Sequence, residues 1–290
     1  MTLRLLAVHA HPDDESSKGA ATYAYYRDRG ARVRIVSCTG GERGSILNES
    51  LSGRAHAERD MAGFRRLEME RARDIMGIEH TWLGYQDSGL PDEGEPVPAG
   101  SFATIPLEIS AEPLVRIIRD YKPQVLVTYD ENGGYPHPDH IRTHEISMFA
   151  FRAAADPTMY PDAGEPWQIS KVYYDRILSA KRVNAMYEFL KAAEPDSPLL
   201  EEMDQIRGWM QDRPDLATTN VPASGFFDVR DNALRAHASQ VSPDSTFFFW
   251  PNDLQHAAWP TEDFQLVESR VETTLPESDL FAGISDEEAA

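Results

Sequence analysis

The sequence predicts an α/β protein, a Rossmann-like, mostly parallel sheet with helices on both faces and a C-terminal portion capping the site. Three observations predict it. Short apolar runs alternate with helical patterns through the first 155 residues, the signature of strand–helix–strand units. Loops loaded with His, Asp and Gly follow the strands, where open parallel sheets carry their ligands. The chain has 290 residues, 41% of them apolar and 26% charged, enough for one large α/β domain with a sizeable core.

Leu3 to His9 (LRLLAVH) reads as the first strand, followed by the polar turn AHPDDE and a helix from about Gly19 that stops at Gly30. Val33 to Cys38 reads as the second strand and ends in Thr39-Gly40-Gly41. Phe64, Leu67, Met69, Ala72, Ile75 and Met76 then recur on a helical face up to Gly77. His80 to Leu83 is a short third strand. The Pro/Gly-rich stretch from Gly84 to Gly100 is too long for a simple connection, which makes it a candidate functional loop. Leu114, Ile117, Ile118 and Tyr121 space a helix over Ser110 to Tyr121. Gln124 to Tyr129 (QVLVTY) is the fourth strand and runs into DENGGYPHPDH, with the next helix starting about Asp139. Beyond Asp156 the pattern loosens: a strand at Lys171 to Ile177, then helices around Ala180 to Ala192, Leu199 to Met210 and Val229 to Ser239. The aromatic segments Phe247 to Trp250 and Trp259 suggest a pocket wall. One domain is expected over residues 1–284, with a core carrying the site in 1–155, a completing or capping portion in 156–284, and a frayed acidic tail in 285–290.

Lys and Arg number 28 against 48 Asp and Glu, a net charge of -20 that repels phosphate backbones and anionic lipid. Nucleic acid and membrane are therefore excluded as partners, and no run approaches the ~18 apolar residues of a membrane span. The N-terminus lacks the basic region of a secretory leader, so a cytoplasmic location is expected. Cys38 is the single cysteine, so any metal must be held by carboxylates and the nine histidines.

The strongest chemical signal is His11-Pro12-Asp13-Asp14-Glu15 after the first strand. Residues three apart in a turn, such as His11 and Asp14, converge on one point while Asp13 points elsewhere. The loop after the fourth strand, Tyr135-Pro136-His137-Pro138-Asp139-His140, supplies His140 as a third donor, which completes a two-His, one-carboxylate metal site. Asp13 suits the base of an amide hydrolysis, and His137 with Tyr135 suits oxyanion stabilisation. Taken alone, a His/Asp pair is an ordinary turn, and Asp139 is a plausible helix N-cap. Two such clusters at two strand ends of one sheet are much harder to ascribe to chance.

AHPDDE after the first strand, GGERG after the second and GGYPHPDH after the fourth together resemble the LmbE/PIG-L family of zinc-dependent N-deacetylases. The resemblance implies one Zn²⁺ per chain on His11, Asp14 and His140, with Fe²⁺ compatible with the same donors. It implies Asp13 as general base, His137 and Tyr135 on the oxyanion side, and Asp139 as a residue orienting or tuning His137. It further implies hydrolysis of an amide on a glucosamine-inositol pseudodisaccharide. By similarity, Glu42, Arg65 (or Arg66) and Asp87 bind the sugar, and Lys18 is placed to reach the acyl arm. By similarity, segments such as HAHPDDESSKGA, PDAGEPW and FAGI imply a small-molecule thiol conjugate as substrate, with deacetylation of N-acetylglucosaminyl-inositol as the alternative. A non-catalytic carbohydrate-binding protein is disfavoured by Asp13 standing beside a complete ligand set. A nucleotide-dependent oxidoreductase is disfavoured by the missing GxGxxG. His237, in RAHASQ, reads as a structural histidine on an amphipathic helix, although the resemblance places this segment near the pocket.

Overall fold

The computed structural model of the chain describes residues 2–285 except 93, 211–213, 244 and 246–250. The expectations for Phe247 to Trp250 and for most of the acidic tail fall outside the described residues. In chain order the elements are β1 (Arg4–His9), α1 (Asp14–Ser17), α2 (Ala20–Asp28), β2 (Arg32–Thr39), α3 (Arg54–Arg59), α4 (Met61–Met76) and β3 (Glu79–Tyr85). They continue as α5 (Leu107–Tyr121), β4 (Val125–Thr128), α6 (Pro138–Ala153), β5 (Lys171–Asp175), α7 (Ala180–Ala193), α8 (Leu199–Met210), β6 (Thr219–Val221), α9 (Phe227–Ala236), α10 (Asn252–Ala258) and β7 (Glu262–Ser269).

One sheet of seven strands runs β3-β2-β1-β4-β5-β7-β6. The first five strands are parallel, and β7 and β6 extend the sheet antiparallel. Alternating side chains of β1 feed two cores: Leu5 and Ala7 pack with α2 and α4 residues, and Leu6 and Val8 with α5 and α6 residues. Both faces are therefore covered, which is why the central strands β1 and β4 are almost wholly apolar. The order reverses between β1 and β4, so the loops after their carboxyl ends diverge there and leave a crevice.

Helix ends follow local chemistry. Asp60 caps α4 by accepting from Gly63 N–H, and Gly77, at φ 68°, closes it in the left-handed region. Pro138 opens α6 at its first position. α3, α10 and the pair β6 and β7 were not anticipated, and the helix expected over Val229 to Ser239 ends at Ala236, so Ser239 lies beyond it. Among the described residues no helix is long and apolar enough to cross a membrane.

Candidate active site

The turns after β1 and β4 meet at the crevice. His11, Asp14 and His140 bring one donor atom each to within 4.8 Å of one another. His140 is fully buried, and its Nδ1 lies 2.9 Å from the Gly133 carbonyl. A carbonyl only accepts, so Nδ1 carries the proton and Nε2 presents a lone pair. That Nε2 is buried without a hydrogen-bond partner, 3.4 Å from Asp14 Oδ2. His11 repeats the pattern: Nε2 faces the carboxylates of Asp139 (3.3 Å) and Asp87 (3.6 Å), which turns Nδ1 toward Asp14 Oδ2 at 3.5 Å. Two imidazole lone pairs converging on one carboxylate repel unless a cation lies among them. The donor set thus fits a divalent metal, with each histidine held by an outer partner as metal-ligating histidines are. Gly133, at φ 71°, makes this possible, since a Cβ there would fall 2.5 Å from that of His140.

Asp13 occupies the left-handed region at φ 103°, a conformation that costs a non-glycine residue of order 1–3 kcal/mol and persists where its surroundings over-determine it. Its N–H donates to Glu15 Oε2 (2.9 Å), and its carbonyl accepts from Ser16 and Ser17 N–H. Its Oδ2 accepts from Arg65 Nη2 at 2.9 Å. Burial raises the Asp13 carboxyl above its ordinary value, with Arg65 pulling against that rise. Arg65 also donates to the carbonyls of Gly41 (3.0 Å) and Pro12. Gly41, at φ 63°, leaves room for this guanidinium, which a Cβ there would displace.

His137 caps α6 by accepting Asp139 N–H on Nδ1 (3.1 Å). Burial, with His11 and His140 nearby, lowers its pKa to about 4, so near neutral pH it is uncharged and carries its proton on Nε2. Tyr135 is 45% exposed, and its ring lies 4.4 Å from that of His140. These side chains line a cavity of about 450 Å³ together with Lys18, Arg43, Leu47, Leu90 and Gln240.

Several expected roles shift. Asp139 was expected to tune His137 through its side chain. Instead its Oδ2 meets His11 Nε2 and accepts Ser88 N–H, and only its backbone N–H serves His137. The ambiguity between Arg65 and Arg66 resolves to Arg65, which is buried, while Arg66 lies over Trp82. Glu68 is buried and accepts from Ser239 N–H and Oγ. Glu42 does not line the cavity but accepts Asp87 N–H (2.8 Å). Asp87 accepts from Arg43 and Gly89 N–H and faces His11, and neighbouring His11 and those N–H groups outweigh burial to hold its carboxyl well below the usual range. Lys18 pairs with Asp14 Oδ1, and this neighbour, with Asp175, outweighs burial to raise the ammonium. His80, without an evident partner in the sequence, bonds Ser37 Oγ at 2.9 Å. Sequence reasoning missed Arg43 as a cavity residue, although it stands inside the GGERG motif, and missed Glu15 and His237, which form a buried pair at 2.8 Å.

The PIG-L family profile (GlcNAc-PI de-N-acetylase) matches residues 6–151, which contain every site residue above except Asp175, His237, Ser239 and Gln240. The chain is 50% identical to mycothiol S-conjugate amidase of Streptomyces coelicolor, over 98% of each chain. It is 40% identical to 1D-myo-inositol 2-acetamido-2-deoxy-alpha-D-glucopyranoside deacetylase of Streptomyces scabiei, over 97% of this chain and 90% of that one. In structure it resembles N,N'-diacetylchitobiose deacetylase from Pyrococcus horikoshii, with a TM-score of 0.61 and 19% identity, over 91% of this chain and 83% of that one. The chain belongs to the PIG-L family and is an amide hydrolase.

Proposed function

We propose that this chain is a cytoplasmic zinc-dependent amidase that cleaves the amide between glucosaminyl-inositol and the N-acetylcysteine arm of mycothiol S-conjugates, releasing a mercapturic acid and the free pseudodisaccharide. The observation that carries the chemistry is the convergence of His11, Asp14 and His140 beside a held carboxylate, Asp13. The choice of substrate is supported by the near-complete coverage and higher identity of the S. coelicolor amidase. A second support is the cavity. Its lining includes Leu47, Leu90, Leu234 and Val241, apolar side chains suited to a thioether substituent.

His11, Asp14 and His140 would hold the ion, which when bound supplies Lewis acidity and makes water acidic enough to lose a proton near neutral pH. Asp13 takes that proton from the attacking water. Arg65 occupies Oδ2, so Oδ1 is the oxygen left for it. The same carboxyl then delivers the proton to the departing amine nitrogen, completing the hydrolysis. Neutral His137 donates from Nε2 to the carbonyl oxygen as negative charge builds there, and the Tyr135 hydroxyl at the rim is a second donor. Asp139 acts twice: its N–H sets the tautomer of His137 and its carboxylate orients His11. Lys18 faces the acyl arm, while Asp87 and Arg43 serve the sugar hydroxyls. Glu42 acts behind Asp87, whose N–H it accepts, and Arg65, which lines the cavity and holds Asp13, also faces the sugar.

The test is a side-by-side comparison of kcat/KM for zinc-loaded protein on a mycothiol S-conjugate and on N-acetylglucosaminyl-inositol. Faster cleavage of the S-conjugate is expected. Faster deacetylation moves the chain to the deacetylase reaction, and turnover of neither, with one ion bound per chain, contradicts both substrates.

A further inference from the structure

We infer that His237 and Glu15 are positioning residues that hold Asp13 for proton transfer, through a clasp formed where the chain leaves α9. The inference rests on the reading of Asp13 as the base.

The clasp reaches Asp13 by two routes. In the first, His237 Nε2 lies 2.8 Å from Glu15 Oε1, and Glu15 Oε2 accepts Asp13 N–H at 2.9 Å. A carboxylate only accepts, so His237 Nε2 carries the proton, and each oxygen of Glu15 is thereby fixed. Both side chains have 0% exposure, so neither finds water as a substitute partner. The hydrogen bond to Asp13 N–H sits on the residue whose φ of 103° is otherwise unfavourable. In the second route, Ser239 donates N–H (2.6 Å) and Oγ (2.7 Å) to Glu68. Glu68 and Arg65 are both on the buried face of α4, and Arg65 donates to Asp13 Oδ2. One short segment thus holds the backbone of Asp13 through Glu15 and steadies the helix that presents its guanidinium partner.

Asn48 Nδ2 donates to the Ala238 carbonyl, and Gln240, which lines the cavity, donates to the Ser45 carbonyl. The clasp therefore also ties the loop after β2. Neither His237 nor Glu15 is among the cavity-lining residues or the donors converging with His140, so loss of either leaves the metal donors intact.

The experiment uses the full-length zinc-loaded chain with His237→Ala, His237→Gln and Glu15→Gln. The glutamine at 237 keeps an N–H donor for Glu15 and serves as the conservative rescue. His237→Ala is expected to lower kcat about 10- to 100-fold, the usual effect of losing an orienting partner, with KM within about twofold and metal content unchanged. His237→Gln is expected to recover most of that loss. In an Asp13→Ala background the further change to His237→Ala is expected to cost less than about twofold, because residues acting as a unit are non-additive. A merely structural role would lower thermal stability and the folded fraction without changing kcat per folded, metal-bound chain. Unchanged kcat in folded His237→Ala, a loss carried by KM or by metal content, or full additivity with Asp13→Ala overturns the inference. If His237→Ala does not fold, Glu15→Gln decides by the same kcat criterion. Loss of activity in Asp13→Ala with normal kcat in His237→Ala removes the clasp and leaves the base assignment standing; full activity in Asp13→Ala removes the base assignment itself.

Discussion

At the floor of the cavity Asp14 and His11, with His140 buried behind them, are 4%, 8% and 0% exposed, and each is fixed by a backbone group or a buried carboxylate; at its rim Leu47 and Leu90 are 64% and 65% exposed. The floor comes from the turns after β1 and β4, at the reversal of strand order. The two exposed leucines of the rim come from the loops after β2 and β3. Proton transfer and metal binding tolerate little displacement, so the floor is over-determined by hydrogen bonds. Substrate choice demands only a complementary surface, so the rim is left on exposed loops. Changes at the metal donors and at the exposed leucines are expected to read out in different kinetic constants.

The largest effect is expected at the floor. Asp14→Ala removes a metal donor and leaves the lone pairs of His11 and His140 without their common neighbour. Bound zinc and amidase activity should both fall to background, measured by metal analysis and turnover, and a chelator should do the same to the unaltered chain. Activity surviving with zinc absent would break the comparison. At the rim, Leu47→Ala with Leu90→Ala should raise KM for an S-conjugate bearing an apolar substituent roughly fivefold, about the scale of losing apolar contact in a substrate pocket, with kcat and metal content kept. An equal rise in KM for N-acetylglucosaminyl-inositol would show that the rim does not sense the acyl arm.

The smallest effect belongs to the sheet, away from both. Burial lowers the pKa of His80 to about 4, against an ordinary 6.5. Between those values the unfolded chain binds the proton more readily than the folded one, so stability is fully present above about pH 6.5 and is lost as pH falls toward 4. His80→Gln, followed by thermal melts across pH 4 to 7, should flatten part of that loss and leave kcat at neutral pH unchanged. A curve that keeps its full slope would show that His80 does not contribute.

How much was legible follows the same division. β1 and β4 stand out because strands buried on both faces are continuously apolar, and the chemistry-bearing turns follow them directly. His11, Asp13 and Asp14 lie within four residues, as do His137, Asp139 and His140, so local spacing exposes them. β6 has three residues and β7 (EDFQLVES) mixes charge with apolar side chains, so neither carries a strand pattern of its own. The Glu15–His237 pair spans 222 positions, and no local pattern links its halves. Arg65 and Arg66 were indistinguishable by type. Helical phase decides, since Arg65 shares the buried face of α4 with Glu68, Met69, Ala72 and Met76. Asp139 misled because its side chain and its N–H serve different histidines.

The most direct test of the account is Asp13→Asn, assayed on a mycothiol S-conjugate with zinc content measured on the same sample. The variant keeps the volume and the contact with Arg65 but cannot take the proton. The account predicts one zinc per chain with kcat lowered about 10²- to 10⁴-fold, the range for loss of a general base. Wild-type kcat with zinc bound would contradict it.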